Sequence, residues 1–193
     1  EMEFDRIYAE VDLGRIEENM EAMKEHLRPG TKMYGVVKTD AYGHGAVPVA
    51  RTIDRFVCGY AVATVDEGLK LRRHGIEKEI LCLGPVSAGR YQECLENDIS
   101  LPVFEYRRAK ELSDAAAAEG KTAKIHIAVD TGMSRIGYQV SEASADEIAK
   151  TAELENLKIE GVFTHFAKAD EADKTHVHGQ IAAYQKMLTM LEE

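Results

Sequence analysis

The run MYGVVKTDAYGHG, residues 33–45, decides how this chain is read. A short apolar segment ends on Lys38 and breaks into Asp40, Tyr42, Gly43, His44 and Gly45. An amine placed where a buried strand meets a polar turn is partly desolvated. Desolvation disfavours the ammonium form and makes a Schiff base with a carbonyl cofactor or substrate accessible. The alternative for Lys38 is a surface lysine that closes the strand and pairs with Asp40. Gly43 and Gly45 free the backbone for a tight turn beside a helix start, which can hold an anion. Tyr42 can donate a hydrogen bond to such an anion, and His44 reads as structural or exposed.

On either side of this run the chain alternates. Residues 6–12, RIYAEVD, have the pattern of a strand, and residues 13–27 place Leu13, Ile16, Met20, Met23 and Leu27 at helical spacing before Pro29 and Gly30. Strands are expected at 31–38, 56–64, 79–85, 98–104, 124–131 and 158–165. Helices are expected at 44–54, 65–75, 87–95, 105–119, 144–156 and 176–193. From Lys32 onward this gives six strands, each followed by a helical segment. Val- and Ile-rich strands alternating with helices argue for a parallel sheet covered on one or both faces. Lys38, Thr64, Gly84, Asp130, Thr131, Arg135, Thr164 and His165 gather at the strand ends. A β/α barrel and a doubly wound sheet both put function there. A barrel closes with eight strands, so six leave either an open sheet or an unfinished barrel.

Two later runs carry further candidates. VDTGMSRIG, residues 129–137, leaves a strand through Asp130 and presents Arg135, which can bind a carboxylate bidentately or hold a phenolate oxygen. Its structural alternative is a loop-to-helix salt bridge to Glu142 or a neighbour. THFAKAD, residues 164–170, puts His165 at a strand end. There it can pack flat on a ring or serve as a satisfied core histidine. No zinc pattern joins His126, His165, His176 and His178, so no metal is expected. Neither G-x-G-x-x-G nor G-x-x-x-x-G-K-[ST] occurs, which removes the usual support for dinucleotide or P-loop binding.

Of 193 residues, 45% are hydrophobic and four are proline, enough for a substantial core and against disorder. With 24 basic and 34 acidic residues the formal net charge is -10, so neither nucleic acid nor anionic membrane is an expected partner. Three cysteines without a C-x-x-C pair fit a reducing cytoplasm. No 18-residue apolar stretch occurs, and the first residues lack a signal-peptide core.

Taken together, AEVDLGRIEENM, VVKTDAYGHGA, VDTGMSRIGY and GVFTHFAKAD resemble the N-terminal domain of alanine racemase, a fold-type III pyridoxal-phosphate enzyme. The order and spacing match over nearly the whole chain. The resemblance implies a β/α (TIM-type) barrel, incomplete here at about six of eight βα units. Residues 1–12 would join a further β domain and residues 13–193 would form the partial barrel. It implies that Lys38 holds pyridoxal 5'-phosphate as an internal aldimine and acts as base on one face of the substrate. Tyr42 would bind the cofactor phosphate. Arg135 would approach the phenolic oxygen and the substrate carboxylate, His165 would sit beside the pyridine ring, and Leu83 would line the pocket. It further implies a cytoplasmic homodimer acting on a small amino acid, with D-alanine going to peptidoglycan precursors. The base for the opposite face would come from a partner's later sequence, so the 193-residue chain alone is expected to be nearly inactive. Serine racemases of the vancomycin-resistance type and non-catalytic pyridoxal-phosphate homeostasis proteins are the competing members. One departure stands out. Many members carry a carbamylated lysine where this chain has Ala128. A methyl group cannot hydrogen-bond Arg135, though it leaves room for an anion or water.

Overall fold

The computed structural model describes residues 7–192. It divides into two compact units, Glu1–Ile80 and Leu81–Glu193.

In the first unit, α1 (Leu13–Glu25) starts at Asp12, whose carboxylate accepts the Arg15 N–H at 3.1 Å. Strand β1 (Met33–Val36) runs parallel to β2 (Val57–Val62), with Met33 opposite Val57 and Val36 opposite Ala61. Between them lie a single turn, α2 (Lys38–Tyr42), the helix α3 (Ala46–Ile53) and a 3₁₀ turn, Asp54–Phe56. Helix α4 (Val65–Arg73) follows β2, and Gly75 at φ 81° closes it as the sequence suggests. Ala50, Ile53, Tyr60, Val62 and Leu71 form the core. Each large side chain there contributes about 1.5–3 kcal/mol by leaving water. Gly35 permits this packing, because a Cβ there would stand 2.7 Å from Ile53 Cδ1. The α1 stripe is only partly used. Met20 is buried, but Met23 is 51% exposed. Helix α1 packs mainly on α3, and its outer side is held instead by Arg55, which bridges Glu17 and Glu21 and lies over Phe56.

Strand β3 (Glu79–Cys82) comes next. The second unit continues with α5 (Tyr91–Glu96), β4 (Ile99–Val103), α6 (Tyr106–Ala118) and β5 (Ala123–Asp130). After these come β6 (Tyr138–Gln139), α7 (Glu142–Ala152), β7 (Leu157–Phe163) and α8 (Thr175–Glu192). Strand β5 lies between β4 and β7, parallel to both: Leu101 pairs with Ile125, and Ala128 with Phe163. Every residue of β4 is buried and β5 is buried along most of its length. This is why these strands read as continuous apolar runs rather than alternating ones.

All six expected strands are present, the pairs β1–β2, β4–β5 and β5–β7 run parallel, and the order of strands and helices is that of an incomplete TIM-type barrel. The two-residue β6 was not expected; it joins the end of β5 through Val129 and Asp130. Residues 7–12 carry no ladder, and Ile7 is 92% exposed. Residues 1–6, the rest of the expected first segment, lie outside the described residues.

Candidate functional site

In the first unit β1 ends at Val36, the buried Val37 follows, and the chain turns at Lys38. The turn is left-handed. Thr39, Asp40, Ala41 and Tyr42 have φ of 51°, 54°, 53° and 55°, and Gly43 follows at 86°. An L-residue held there costs about 1–2 kcal/mol, so neighbours must hold the turn in place. Within the turn, the Ala41 N–H donates to the Val37 carbonyl and the Gly45 N–H to the Asp40 carbonyl, at 2.9 and 2.8 Å. Outside it, the Asp40 carboxylate accepts the Ala46 N–H at 3.0 Å and the Lys70 ammonium at 2.8 Å. The Ala46 N–H, and then Lys70, hold the Asp40 carboxyl below the usual carboxylate range. Glu67 takes the Thr39 N–H at 2.8 Å and the Ala63 N–H at 2.7 Å.

Strain of this kind, over-determined by its surroundings, is characteristic of functional sites. Here it brings the half-buried Lys38 amine to 5.9 Å from the centre of the Tyr42 ring. The expected alternative, a Lys38–Asp40 pair, is not formed, since Asp40 is engaged by Lys70. Tyr42 is 61% exposed. His44 Nδ1–H donates to the Ala41 carbonyl at 2.9 Å, a structural role.

In the second unit the loop after β5 is shaped by Asp130. Its carboxylate accepts the N–H groups of Gly132 at 3.0 Å and Ser134 at 2.9 Å, and the Gln139 amide at 3.2 Å. Burial alone would raise this carboxyl. The donated bonds outweigh burial and hold it below the usual carboxylate range. The loop presents Arg135 exposed, and no Glu142 salt bridge forms. At the end of β7, Thr164 lies 2.8 Å from Thr131, oxygen to oxygen. His165 is exposed, which removes the core-histidine alternative, and its carbonyl accepts from Gln180 Nε2 at 2.9 Å. Leu83 follows β3 directly and is half-buried; Ala128 is 2% exposed inside β5.

Two residues escaped the sequence reading. Glu67 follows Thr64 in a T-x-x-E capping-box spacing, but its carboxylate goes to Thr39 and Ala63 instead of back to Thr64. Gln180 lies on the same side of α8 as Tyr184 and Met187, four and seven residues on. An amide on that stripe is the signal that was available.

The sequence matches the family described as "Alanine racemase, N-terminal domain" over residues 11–193. The chain belongs to this family. It is 40% identical over 185 residues to alanine racemase 2 of Caldanaerobacter subterraneus subsp. tengcongensis, covering 95% of this chain and 48% of the relative. Against the alanine racemase of Clostridium novyi it is 43% identical over 181 residues, covering 93% and 46%. The solved alanine racemase of Clostridium difficile 630 superposes with a TM-score of 0.92 at 37% identity, covering 94% of this chain and 48% of that one. The chain thus spans about half the length of the curated relatives it matches.

As an alanine racemase N-terminal domain, the chain has a donor set that suits pyridoxal phosphate. Its aldehyde needs an amine without a carboxylate partner, which Lys38 offers. Its phosphate needs a donor, and Tyr42, 61% exposed, carries a hydroxyl beside Lys38; in the second unit Arg135 has no carboxylate partner among the described residues. The described residues hold no cluster of His, Cys, Asp and Glu fit for a metal ion. No helix among them is long and apolar enough to cross a membrane.

Proposed function

We propose that this chain provides the cofactor-bearing half of an alanine racemase, which interconverts L- and D-alanine with pyridoxal 5'-phosphate. The observation that carries the reading is the Lys38 amine, half-buried at the head of a strained left-handed turn with Tyr42 beside it. When bound, the cofactor supplies an electron sink for the charge left when the α-proton is removed. Lys38 Nζ would hold the cofactor at its aldehyde. The same amine is the group that would accept or return the α-proton on that face of the substrate. The Tyr42 hydroxyl would donate to the phosphate. Arg135 would hold the phenolic oxygen and orient the substrate carboxylate. His165 would sit beside the pyridine ring, and Leu83 would line the pocket.

Inversion at carbon needs a proton delivered to the opposite face. We assign that acid to a group outside these 193 residues, contributed by a partner subunit in a cytoplasmic homodimer. Residues 7–12 would, on this reading, join a further β domain. Turnover by the isolated chain should accordingly be slight, and the D-alanine of the working dimer serves cell-wall precursors.

The decisive experiment incubates the protein with pyridoxal phosphate, reduces it with borohydride and maps the modified lysine by mass spectrometry. Modification at Lys38, lost in Lys38→Ala, is expected; modification at another lysine, or none, overturns the assignment. Turnover of L- and D-alanine by the full-length protein separates a racemase from a non-catalytic pyridoxal-phosphate carrier.

A further inference from the structure

Gln180 is 1% exposed, and four hydrogen bonds converge on its side chain. Their chemistry fixes the amide orientation. The His165 carbonyl can only accept, so the nitrogen faces it at 2.9 Å and also donates to Thr131 Oγ1 at 3.0 Å. The Ala167 N–H can only donate, so the oxygen faces it at 2.9 Å and meets His176 Nδ1 at 3.2 Å. With the amide oxygen an acceptor, His176 must carry its proton on Nδ1.

A second consequence concerns the threonines. Thr131 Oγ1 accepts from Gln180 and pairs with Thr164 Oγ1 at 2.8 Å. Two hydroxyls contribute two protons, and the bond between them uses one. Whichever donates, the other proton has no acceptor among the described residues. The pair therefore offers one hydroxyl donor outward from the C-terminal ends of β5 and β7.

We propose that Gln180 is a positioning residue. It fixes the main chain at His165 and the Thr131 hydroxyl so that the threonine pair directs its spare proton to an oxygen atom of the bound ligand. The role of that ligand rests on the racemase reading above; the geometry of Gln180 does not. Gln180→Glu removes both donors from an acceptor-lined position. Gln180→Met removes every hydrogen bond while keeping most of the volume.

The test uses the full-length protein and reads four quantities: the nitrogen-15 signals of His176, the thermal midpoint, the visible spectrum of bound pyridoxal phosphate, and kcat and KM for alanine. The neutral His176 of the unaltered protein should be the Nδ1–H tautomer. Both Gln180 variants should retain cofactor with an altered spectrum and lose about tenfold or more in kcat, with KM changed less than about threefold. Thr131→Val, which deletes one partner and leaves the buried amide in place, should lose kcat in the same pattern. It decides the matter if neither Gln180 variant folds. An Nε2–H tautomer in the unaltered protein overturns the proposal, as do an unchanged spectrum and kcat in the variants. If the unaltered protein does not racemise alanine, the functional reading fails and the His176 tautomer alone judges Gln180.

Discussion

Glu67 accepts the main-chain N–H of Thr39 at 2.8 Å, tying the head of α4 to the first left-handed residue after Lys38. Its other oxygen takes the Ala63 N–H at 2.7 Å, so one carboxylate clamps the segments that follow two neighbouring strands. Glu67→Gln sets an amide N–H₂ against one of these N–H donors. That should destabilise the protein by about 1–3 kcal/mol. The turn should loosen with it, so the rate of pyridoxal-phosphate trapping at Lys38 should fall. Urea denaturation and borohydride trapping check the two effects separately. A trapping rate unchanged in a destabilised Glu67→Gln would mean the clamp serves the fold alone.

Asp40 makes a testable acid dependence. Its folded-state carboxyl is held below its ordinary value by the Ala46 N–H and by Lys70. A depressed carboxyl contributes stability that is fully present above the unfolded value, near 4, and is lost as pH falls through the folded value. Asp40→Asn keeps an acceptor for Ala46 but drops the charge. The variant should therefore lose a few tenths of a kcal/mol at neutral pH, because the Lys70 pair is half exposed. Its stability should also fall less steeply below about pH 4 than that of the unaltered protein. Parallel acid titration curves for the two proteins would remove Asp40 from the account.

Tyr60 tests the core of the first unit at the other end of the pH scale. Its buried hydroxyl donates toward the Ala50 carbonyl and the Asp54 carboxylate, at 2.6 and 2.7 Å. Burial first, and then Asp54, push the phenol well above its ordinary value. The folded state thus keeps a proton that the unfolded chain gives up above about pH 10, and stability declines as pH rises past that point. Tyr60→Phe should cost about 1–2 kcal/mol at neutral pH by leaving the buried Ala50 carbonyl short of a donor. It should also flatten the alkaline decline, leaving the share due to Tyr91, Tyr138 and Tyr184, which burial raises as well. Denaturant midpoints between about pH 8 and 11 measure both effects.

Strand and helix alternation was legible because β4 and β5 are buried along their lengths and leave Val and Ile runs that nothing else explains. The position of Lys38 was legible for the same reason, since the apolar run stops there. The hand of the turn was not. Thr39, Asp40, Ala41 and Tyr42 include no glycine, and local preference gives no sign of left-handed backbone. What holds them are Glu67 and Lys70, about thirty residues later, and such contacts leave no local pattern. Gln180 was hidden for a related reason. A helical amide normally reads as a solvated residue, and only its partners on the β5 and β7 ends reveal its burial. The exposed Met23 shows the converse error, in which helical spacing alone overstates how much of a stripe is covered.

Gly137 offers a sharper test of how the Arg135 loop is seated. Its φ is 128°, and a Cβ would stand 2.4 Å from the Asp130 nitrogen and 2.7 Å from the Val129 carbonyl carbon. Those are backbone atoms at the end of β5, which cannot move aside without breaking the pairing of Val129 with Tyr138. Gly75 is the control. It too has positive φ, at 81°, but its Cβ would meet nothing within 4 Å. Gly75→Ala should cost only the strain of a left-handed alanine, about 1 kcal/mol. Gly137→Ala should add a steric clash and exceed about 3 kcal/mol, or refold the loop to escape it. In the second case the loop that presents Arg135 is reseated, and the functional reading predicts a rise in KM for alanine larger than any fall in kcat, because substrate carboxylate binding is what weakens. Thermal midpoints of the two variants, with kinetics on whichever remains folded, separate strain from clash. Equal midpoints would show that the loop yields around Gly137 and that the close approach does not seat Arg135.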